Sequence, residues 1–252
     1  MQMVAVDILG PLPLSENGNN YILVAADYFT RWMEAWPIPN QEAKTVAECL
    51  TKEMFYCFSI PEQLHSDQGR QFESEVMQEI CRLLQVQKTR TTPGHPQSDG
   101  LVERFNRTLL NMLSTVVGDL HSTWDQHLRA ICMAYNTSVQ PSTGYSPFCL
   151  IFGRQPRLPI DLGYQTQTEQ PLSTKTYVAC QLSILEDTFR LVRTNMGVKQ
   201  NRQKHLYDRK IHRDPYSVGD HVFLFSLVEP RGQSWKLHHP WFETLSSDQE
   251  NL

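Results

Sequence analysis

Paired cysteines are missing from this sequence. None of its six cysteines forms a C-x-x-C pair, and their spacing is typical neither of a zinc site nor of a disulfide framework. Most lie in apolar surroundings, where small buried residues occur. We therefore expect a reducing compartment and no zinc site in this chain. The cysteines are Cys49, Cys57, Cys81, Cys132, Cys149 and Cys180.

Segments typical of secreted or membrane proteins are missing as well. No apolar run approaches the length of a membrane span, and no basic–apolar–small signal segment opens the chain. We therefore expect no membrane partner. The N-x-[ST] triplets at Asn106 and Asn136 are interpreted as chance matches rather than glycosylation sites.

A strong overall charge is the third absence. The net charge is −4, and 40% of the residues are hydrophobic, enough for one core of about 150 residues and a smaller unit. Residues 1–165 carry 12 basic and 17 acidic residues, whereas residues 190–213 carry eight basic residues and one acidic residue. This basic run is either a solvated helix face or a contact for a polyanion, and the sequence leaves both open.

The hydrophobic pattern of the first 140 residues predicts alternating strands and helices. Three strands joined by short turns indicate an antiparallel meander, and the order β-β-β-α-β-α-β-α-α predicts a mixed α/β sheet packed by helices. In the second helix Ser74 is the expected N-cap, with Val76, Ile80 and Leu83 or Leu84 facing inward. The predicted strands are 3–9, 21–27, 32–38, 63–67 and 87–92, and the predicted helices are 41–58, 74–84, 101 onward and 124–136.

The C-terminal third has three different patterns. Residues 164–174 are polar and are interpreted as a linker. Apolar residues then recur every three or four positions, which predicts a helical arm that packs either on its own domain or on another helix or subunit. From Val218 onward the pattern indicates a small, incomplete β-barrel. The heptad positions are Val178, Leu182, Leu185, Phe189, Val192 and Met196.

Three carboxylates lie at the ends of predicted elements. Asp7 lies at the end of the first strand, Asp67 ends the fourth, and Glu103 lies in the first turn of the helix that starts at Leu101. If the first and fourth strands are neighbours, Asp7 and Asp67 project from one edge and the helix can bring Glu103 to them. Clustered carboxylates repel one another unless a hard cation such as Mg²⁺ neutralises them.

The spacing of these carboxylates is specific. Thirty-five residues lie between Asp67 and Glu103, and 59 lie between Asp7 and Asp67. The segments VAVDILGPLP, HSDQGRQFES, TTPGHPQSDGLVERFNRTLLNML and AYNTSVQPSTGYSPFCLIFGRQPRLPID surround or follow them. In these features the sequence resembles retroviral and retrotransposon integrases of the gypsy class. The barrel-like VGDHVFLF and GQSWKLHHPW are similar to the C-terminal small domain of that class.

The resemblance implies a ribonuclease H-like core over residues 1–163, a linker over 164–174, a helical arm over 175–213 and a partial SH3-like β domain over 214–252. It implies that Asp7, Asp67 and Glu103 hold Mg²⁺ or Mn²⁺, with two ions expected. The implied activity is metal-dependent DNA strand transfer, in which a 3′-hydroxyl at the element's end attacks target DNA. Implied partners are both DNAs and further copies of the chain, and the implied location is the nucleus.

Further residues near the carboxylates are candidates for DNA contact. The loop residues His95, Gln97 and Ser98 offer hydrogen bonds to a DNA end. Asn106 and Arg107 lie three and four residues after Glu103 and share its helix face, although Arg107 could be an ordinary exposed arginine.

Lys88 and Arg90, on the fifth strand, are candidates for phosphate contact. His65 could support Asp67 or be a core histidine with its own partners, and Asp99 is interpreted as a solvated loop carboxylate.

The sequence departs from the family pattern at three places. No His-His-Cys-Cys zinc domain precedes the core, Gly94 stands where an aromatic residue is common, and the barrel pattern breaks off after Trp241. Two functions therefore stay open: an active integrase or a fragment of one, and a host-retained or decaying derivative that acts as a nucleic-acid-binding or interaction module. A plain ribonuclease H-like nuclease fits the loop and C-terminal motifs less well.

Overall fold

The computed structural model describes residues 1–91, 100–118, 121–158, 161, 174–209, 222–225 and 241–244. The chain forms two compact units, Met1–Gln200 and Asn201–Leu252. The domain boundaries expected from the sequence stay predictions.

A five-stranded mixed sheet forms the centre of the first unit. Its order is β3-β2-β1-β4-β5; β1, β2 and β3 are antiparallel, and β4 and β5 run parallel to β1. The strand bounds agree with the sequence prediction to within two residues, and the mixed sheet is confirmed. The strands are β1 (Met3–Leu9), β2 (Tyr21–Asp27), β3 (Met33–Ile38), β4 (Gln63–Ser66) and β5 (Gln87–Arg90).

Helices cover both faces of this sheet. The single helix expected over 41–58 is divided into two α-helical pieces by a π-helical stretch at Leu50–Phe55. A 3₁₀ turn at His121–Thr123 precedes α5. The α-helices are α1 (Ala43–Cys49), α2 (Tyr56–Phe58), α3 (Glu75–Leu83), α4 (Gly100–Val117), α5 (Trp124–Thr137), α6 (Pro147–Phe152) and α7 (Thr174–Asp208).

Alternation along the strands divides the interior into two cores. On one face, Val4, Val6 and Leu23 pack with α1, the π-helical stretch and α3. On the other face, Ala5 and Val24 pack with α4 and α5. Successive strand residues point to opposite faces, so a strand that is covered on both sides is apolar throughout.

The inward face of α3 agrees with the prediction in part, because Ile80 and Leu84 are partly buried against the core. Val76 is 45% exposed and Leu83 is 64% exposed, whereas Met77 and Cys81 are buried. Met77 and Cys81 are one helical turn apart and so share a face, which places Val76 beside the buried stripe rather than on it. The predicted N-cap is confirmed, because the Ser74 hydroxyl accepts a hydrogen bond from the Met77 backbone N–H at 3.3 Å.

A buried carboxylate ties the loop after β1 to α5. Asp125 is 7% exposed. Its Oδ2 accepts hydrogen bonds from Ser15 Oγ at 2.7 Å, Asn19 Nδ2 at 3.0 Å and Asn17 Nδ2 at 3.1 Å. Burial alone would raise the pKa of Asp125, but these three donors outweigh it and hold the pKa below its usual range. The loop therefore folds onto a charge supplied by a distant helix.

The middle of α7 packs on the first unit. Phe189 meets Phe29 edge to face with ring centres 5.2 Å apart, and Val192 is fully buried. Asn195 Nδ2 donates to the Thr143 carbonyl at 3.0 Å. These contacts favour a helix that packs on its own domain. The predicted seam is not covered along its whole length, since Leu182 is 57% exposed.

The basic run has mixed surroundings where the structure describes it. Arg190 pairs with Asp187 at 2.7 Å, and Arg193 lies over the Phe29 ring at 5.6 Å. Helix α7 ends at Asp208, and residues 210–213 of the predicted arm lie outside the described residues. The polyanion contact stays a prediction.

In the second unit, β6 (Val222–Phe225) and β7 (Trp241–Thr244) form an antiparallel pair. The rest of the predicted small barrel lies outside the described residues. All six cysteines are free thiols. Among the residues that the structure describes, no helix combines the length and the apolar character needed to span a membrane.

Candidate active site

Parallel pairing of β1 and β4 brings two candidate carboxylates to one edge of the sheet. Val6 is registered with Ser66, so Asp7 and Asp67 each follow the last registered pair by one residue. Asp7 is half-buried, and Asp67 is exposed. The condition on which the sequence argument depended, that the first and fourth strands are neighbours, is therefore met.

Asp7 is held by hydrogen bonds from two directions. Its Oδ1 accepts from the Ile8 backbone N–H at 2.8 Å, and its Oδ2 accepts from Asn106 Nδ2 at 2.6 Å. Asn106 lies on α4 and is 7% exposed. A charge-assisted hydrogen bond of this kind fixes the carboxylate and sets α4 against the end of β1.

Asp67 begins a tight turn. Its Oδ1 accepts a hydrogen bond from the Gly69 backbone N–H at 3.0 Å. A Cβ at position 69 would lie 2.5 Å from Gln71 Nε2 and 3.0 Å from Asp67 Oδ1. Glycine at this position therefore leaves room for the backbone to approach the carboxylate.

Glu103 is exposed in the first turn of α4. Asn106 is three residues further along the same helix, so Glu103 lies about one turn from the residue that contacts Asp7. The structure thus brings the helix of Glu103 to Asp7. Within the described residues, no group of three or more His, Cys, Asp or Glu side chains is arranged to hold a metal ion.

The residues at this edge are suited to a hard cation. The donors of Asp7, Asp67 and Glu103 are all carboxylate oxygens, which Mg²⁺ and Mn²⁺ prefer. The buried Oδ1 of Asn106 has no hydrogen-bond partner among the described residues, so a further oxygen acceptor lies beside Asp7.

A small ion-pair network lies beside Asp67. Lys88 Nζ is 3.8 Å from Glu73 Oε1, and Arg90 is 3.6 Å from Glu73 Oε2. Lys88 also donates to the Ser66 hydroxyl. Burial lowers the pKa of Lys88, while Glu73 and other nearby acidic groups oppose that shift. Lys88 is half-buried, whereas Arg90 remains 65% exposed and therefore accessible.

Glu73 pairs with two of the candidate phosphate-binding residues, and the sequence analysis did not identify it. It lies between Asp67 and α3, in a segment without periodic pattern, and it reaches β5 only through the tertiary fold. Acidic residues in loops are common, so the sequence held no signal for this pairing.

His65 is buried next to the same strands. Its Nδ1 lies 2.9 Å from Thr89 Oγ1, and its ring meets Tyr28 edge-on at 6.2 Å. These contacts favour the core-histidine interpretation over direct support of Asp67.

The remaining predicted DNA contacts have different outcomes. Arg107 is exposed on α4, as a phosphate contact requires. The structure turns Asn106 inward to Asp7, so Asn106 is buried whereas Glu103 is exposed, and its contact with DNA stays a prediction. His95, Gln97, Ser98 and Asp99 lie outside the described residues.

Comparisons with known proteins agree with one another in what they match. Residues 1–96 match the integrase core domain family. The chain is 29% identical over 225 residues to the retrovirus-related Pol polyprotein from transposon 412 of Drosophila melanogaster. This alignment covers 89% of this chain and 18% of that polyprotein. It is 35% identical over 148 residues to the Pro-Pol polyprotein of simian foamy virus type 1, covering 59% of this chain and 13% of the relative. The chain thus spans less than a fifth of these relatives.

A solved structure supports the fold. A chain of the simian T-cell lymphotropic virus intasome, in complex with a phosphatase regulatory subunit, superposes with a TM-score of 0.54 at 22% identity. The superposition covers 69% of this chain and 59% of that chain. The five-stranded mixed sheet is that of the ribonuclease H-like integrase core. The resemblance to retroviral and retrotransposon integrases is confirmed.

Proposed function

We propose that this chain, which matches the integrase core domain, is an integrase-type polynucleotidyl transferase that joins a retrotransposon DNA end to target DNA. The observation that carries the proposal is the contact between Asn106 and Asp7. It sets α4, with Glu103 in its first turn, against the sheet edge where Asp7 lies near the end of β1 and Asp67 directly follows the parallel strand β4.

The chain's own contribution to this reaction is positioning. Asp7 is fixed by the Ile8 N–H and by Asn106, and Asp67 by the Gly69 N–H. Divalent cations held by Asp7, Asp67 and Glu103 would stabilise the charge on the attacking and leaving oxygens. We propose Mg²⁺ or Mn²⁺ and two ions, because three carboxylates supply ligands and charge for a pair.

DNA would be held by cationic groups around that edge. Arg107 is exposed on α4 near Glu103, and Arg90 is exposed on β5 near Asp67. Lys88 adds charge from a half-buried position. The proposed DNA contacts include His95, Gln97 and Ser98 of the loop between β5 and α4.

The proposed partners are the element's DNA end, target DNA and further copies of this chain. The similar viral chain is part of an intasome in complex with a phosphatase regulatory subunit, and we propose that copies of this chain likewise assemble with one another on DNA. Because insertion requires host DNA, we propose the nucleus as the location of the activity, with a cytoplasmic particle or pre-integration stage if the chain is part of an active element.

A strand-transfer assay tests the proposal. Purified protein is mixed with Mg²⁺ or Mn²⁺ and a branched mimic of the strand-transfer product, and strand joining or nicking is followed on denaturing gels. We expect activity in the wild type and its loss in Asp67→Asn, which keeps the side chain's shape but removes its charge. The matched control is Asp187→Asn, since Asp187 is an exposed carboxylate on α7.

The outcomes separate the two candidate functions. Activity that disappears only in Asp67→Asn supports the transferase. Wild-type protein that binds DNA in a salt-sensitive manner, yet neither joins nor nicks it with either metal, would contradict the transferase and favour the binding module.

A further inference from the structure

A groove on the flank of α4 is separate from the carboxylate edge. It has a volume of about 540 Å³ and lies between α4, α5 and the loop that follows α5. The rings of Phe105 and Tyr135 form part of its wall and meet edge to face at 4.9 Å. Its polar lining includes Arg31, Arg104, Ser138, Gln140 and Ser142.

Arg31 holds an unfavourable backbone conformation in this groove. Its φ is 66°, in the left-handed region that non-glycine residues rarely adopt. The turn that imposes this conformation is closed by the Arg31 N–H, which donates to the Asp27 carbonyl at 3.0 Å. A residue held in such a conformation is a reason to look for a function at the site.

The guanidinium of Arg31 is also incompletely satisfied. Its Nε is buried and has no hydrogen-bond partner among the described residues. A buried polar atom without a partner destabilises the folded chain unless a ligand or water completes it. The groove beside it offers the space for such a ligand.

A second arginine increases the positive charge. Burial lowers the pKa of Arg31 most, and the nearby charge of Arg104 lowers it further, while Tyr135, Asp27 and Tyr28 act in the opposite direction. The Asp27 carboxylate is engaged through one oxygen: its Oδ2 accepts from the Thr30 N–H at 2.7 Å and the Thr30 hydroxyl at 2.6 Å, whereas its buried Oδ1 has no hydrogen-bond partner among the described residues. Two cationic side chains therefore line one groove with limited compensation.

We infer that this groove binds a phosphate group of a nucleic acid, held between Arg31 and Arg104. The planar guanidinium matches a phosphate with two parallel hydrogen bonds, and the hydroxyl and amide groups of Ser142 and Gln140 can add neutral contacts. The choice of nucleic acid as the source of the phosphate rests on the proposed function. Arg104 directly follows Glu103 on α4, so the groove lies within one helical turn of Glu103 and within reach of a nucleic-acid strand bound at the carboxylate edge.

The test measures DNA affinity against salt. The full chain is titrated into a fluorescein-labelled duplex in EDTA, and anisotropy is recorded between about 50 and 200 mM NaCl, where each phosphate contact contributes about 0.9 to the slope of log K against log salt. Three variants are compared with wild type: Arg31→Gln, Arg104→Gln and the double variant. The matched control is Arg82→Gln, because Arg82 is a 70% exposed arginine on α3.

The expected result is a specific loss of one phosphate contact. Each single variant lowers the magnitude of the slope by about 0.9, and the double variant lowers it no further, because both arginines hold the same phosphate. Slopes of Arg31→Gln and Arg104→Gln that equal that of Arg82→Gln would overturn the inference. Should Arg31→Gln lack the circular dichroism of the folded chain, the exposed Arg104 decides the result alone.

A second readout identifies the source of the phosphate. Thermal unfolding is measured with inorganic phosphate and with chloride at equal ionic strength. A phosphate-dependent rise in Tm that disappears in Arg104→Gln, together with unchanged DNA slopes, would assign the groove to free phosphate and overturn the nucleic-acid inference. Strand transfer that persists in these variants shows that the proposed function survives even when the groove inference fails.

Discussion

The hydrogen bond between Asn106 and Asp7 joins α4 to β1 beside the candidate catalytic carboxylates. One substitution can replace this attraction with a repulsion between two carboxylates. In Asn106→Asp the shape of the side chain is kept, but the donor Nδ2, 2.6 Å from Asp7 Oδ2, is replaced by an acceptor. Two carboxylates then face each other in a site where residue 106 is only 7% exposed. We expect this variant to be less stable than wild type in the absence of divalent cations.

The magnitude follows from two contributions. Loss of a hydrogen bond to a charged group removes about 1.5–3 kcal/mol. Two unit charges 4 Å apart at an effective dielectric constant of 20 repel by about 4 kcal/mol, of which protonation of one carboxyl relieves a part. We expect a total loss of about 3–5 kcal/mol at pH 7, which corresponds to a decrease in Tm of roughly 6–20 °C for a domain of this size.

Differential scanning calorimetry measures this loss, first in EDTA and then with Mg²⁺. A cation attracted to the paired carboxylates should restore part of the Tm of Asn106→Asp. It should restore little in Asn106→Ala, which lacks the second charge. The control is Asn111→Asp, an exposed position on the same helix, where we expect a change within about 0.5 kcal/mol.

The reasoning is refuted by one plain result. If Asn106→Asp unfolds in EDTA at the same temperature as Asn111→Asp, the contact with Asp7 does not hold α4 in place. The link between Asn106 and the position of Glu103 then fails with it.

Three further predictions concern the scaffold. Asp125→Asn should lower the unfolding free energy by about 1–3 kcal/mol at pH 7, measured by urea denaturation. Because the folded pKa of Asp125 is depressed, its stabilisation is present above about pH 4 and is lost as the pH falls through the folded value, so the variant should lose less stability in acid. Ser74→Ala should cost about 1 kcal/mol by removing the cap of α3, and Ser74→Asp should not. Phe189→Ala should lower Tm if α7 packs on the first unit, and Leu182→Ala should leave it unchanged.

The strands and most helices could be predicted from local pattern. The apolar runs of β1 and β2 and the turn residues that bound them predicted both strands to the residue, and apolar residues four apart predicted the buried stripe of α4. Such features depend on neighbours within a few positions, which the sequence displays directly. The inward face of α3 was predicted only in part: Ile80 and Leu84 pack on the core, but Val76 and Leu83 are exposed. Apolar residues occur on two sides of that short helix, and only the sheet beneath it decides which side is buried.

The three carboxylates of the candidate site could be predicted from the sequence, but the hydrogen bonds that hold them in place could not. Asp7, Asp67 and Glu103 stand at the ends of recognisable elements with a specific spacing. The bond from Asn106 to Asp7 joins residues 99 positions apart. Which residue Asn106 contacts depends on the angle at which α4 crosses the sheet, and that angle is set by the packing of the whole domain. The same holds for Arg31, whose left-handed conformation follows from its turn rather than from any property of arginine.

The hydrogen bonds from the loop after β1 to Asp125 have a consequence for synthesis on the ribosome. Ser15 donates a hydrogen bond to Asp125, which is 110 residues further along the chain, so the bond cannot form until that stretch has been synthesised. At about 5–20 residues per second, the ribosome needs roughly 5–20 s to add that stretch. During this interval the first hairpin exists without the carboxylate that orders its loop. The amino-terminal strands are therefore the part of the nascent chain most exposed to chaperones and proteases before α5 emerges.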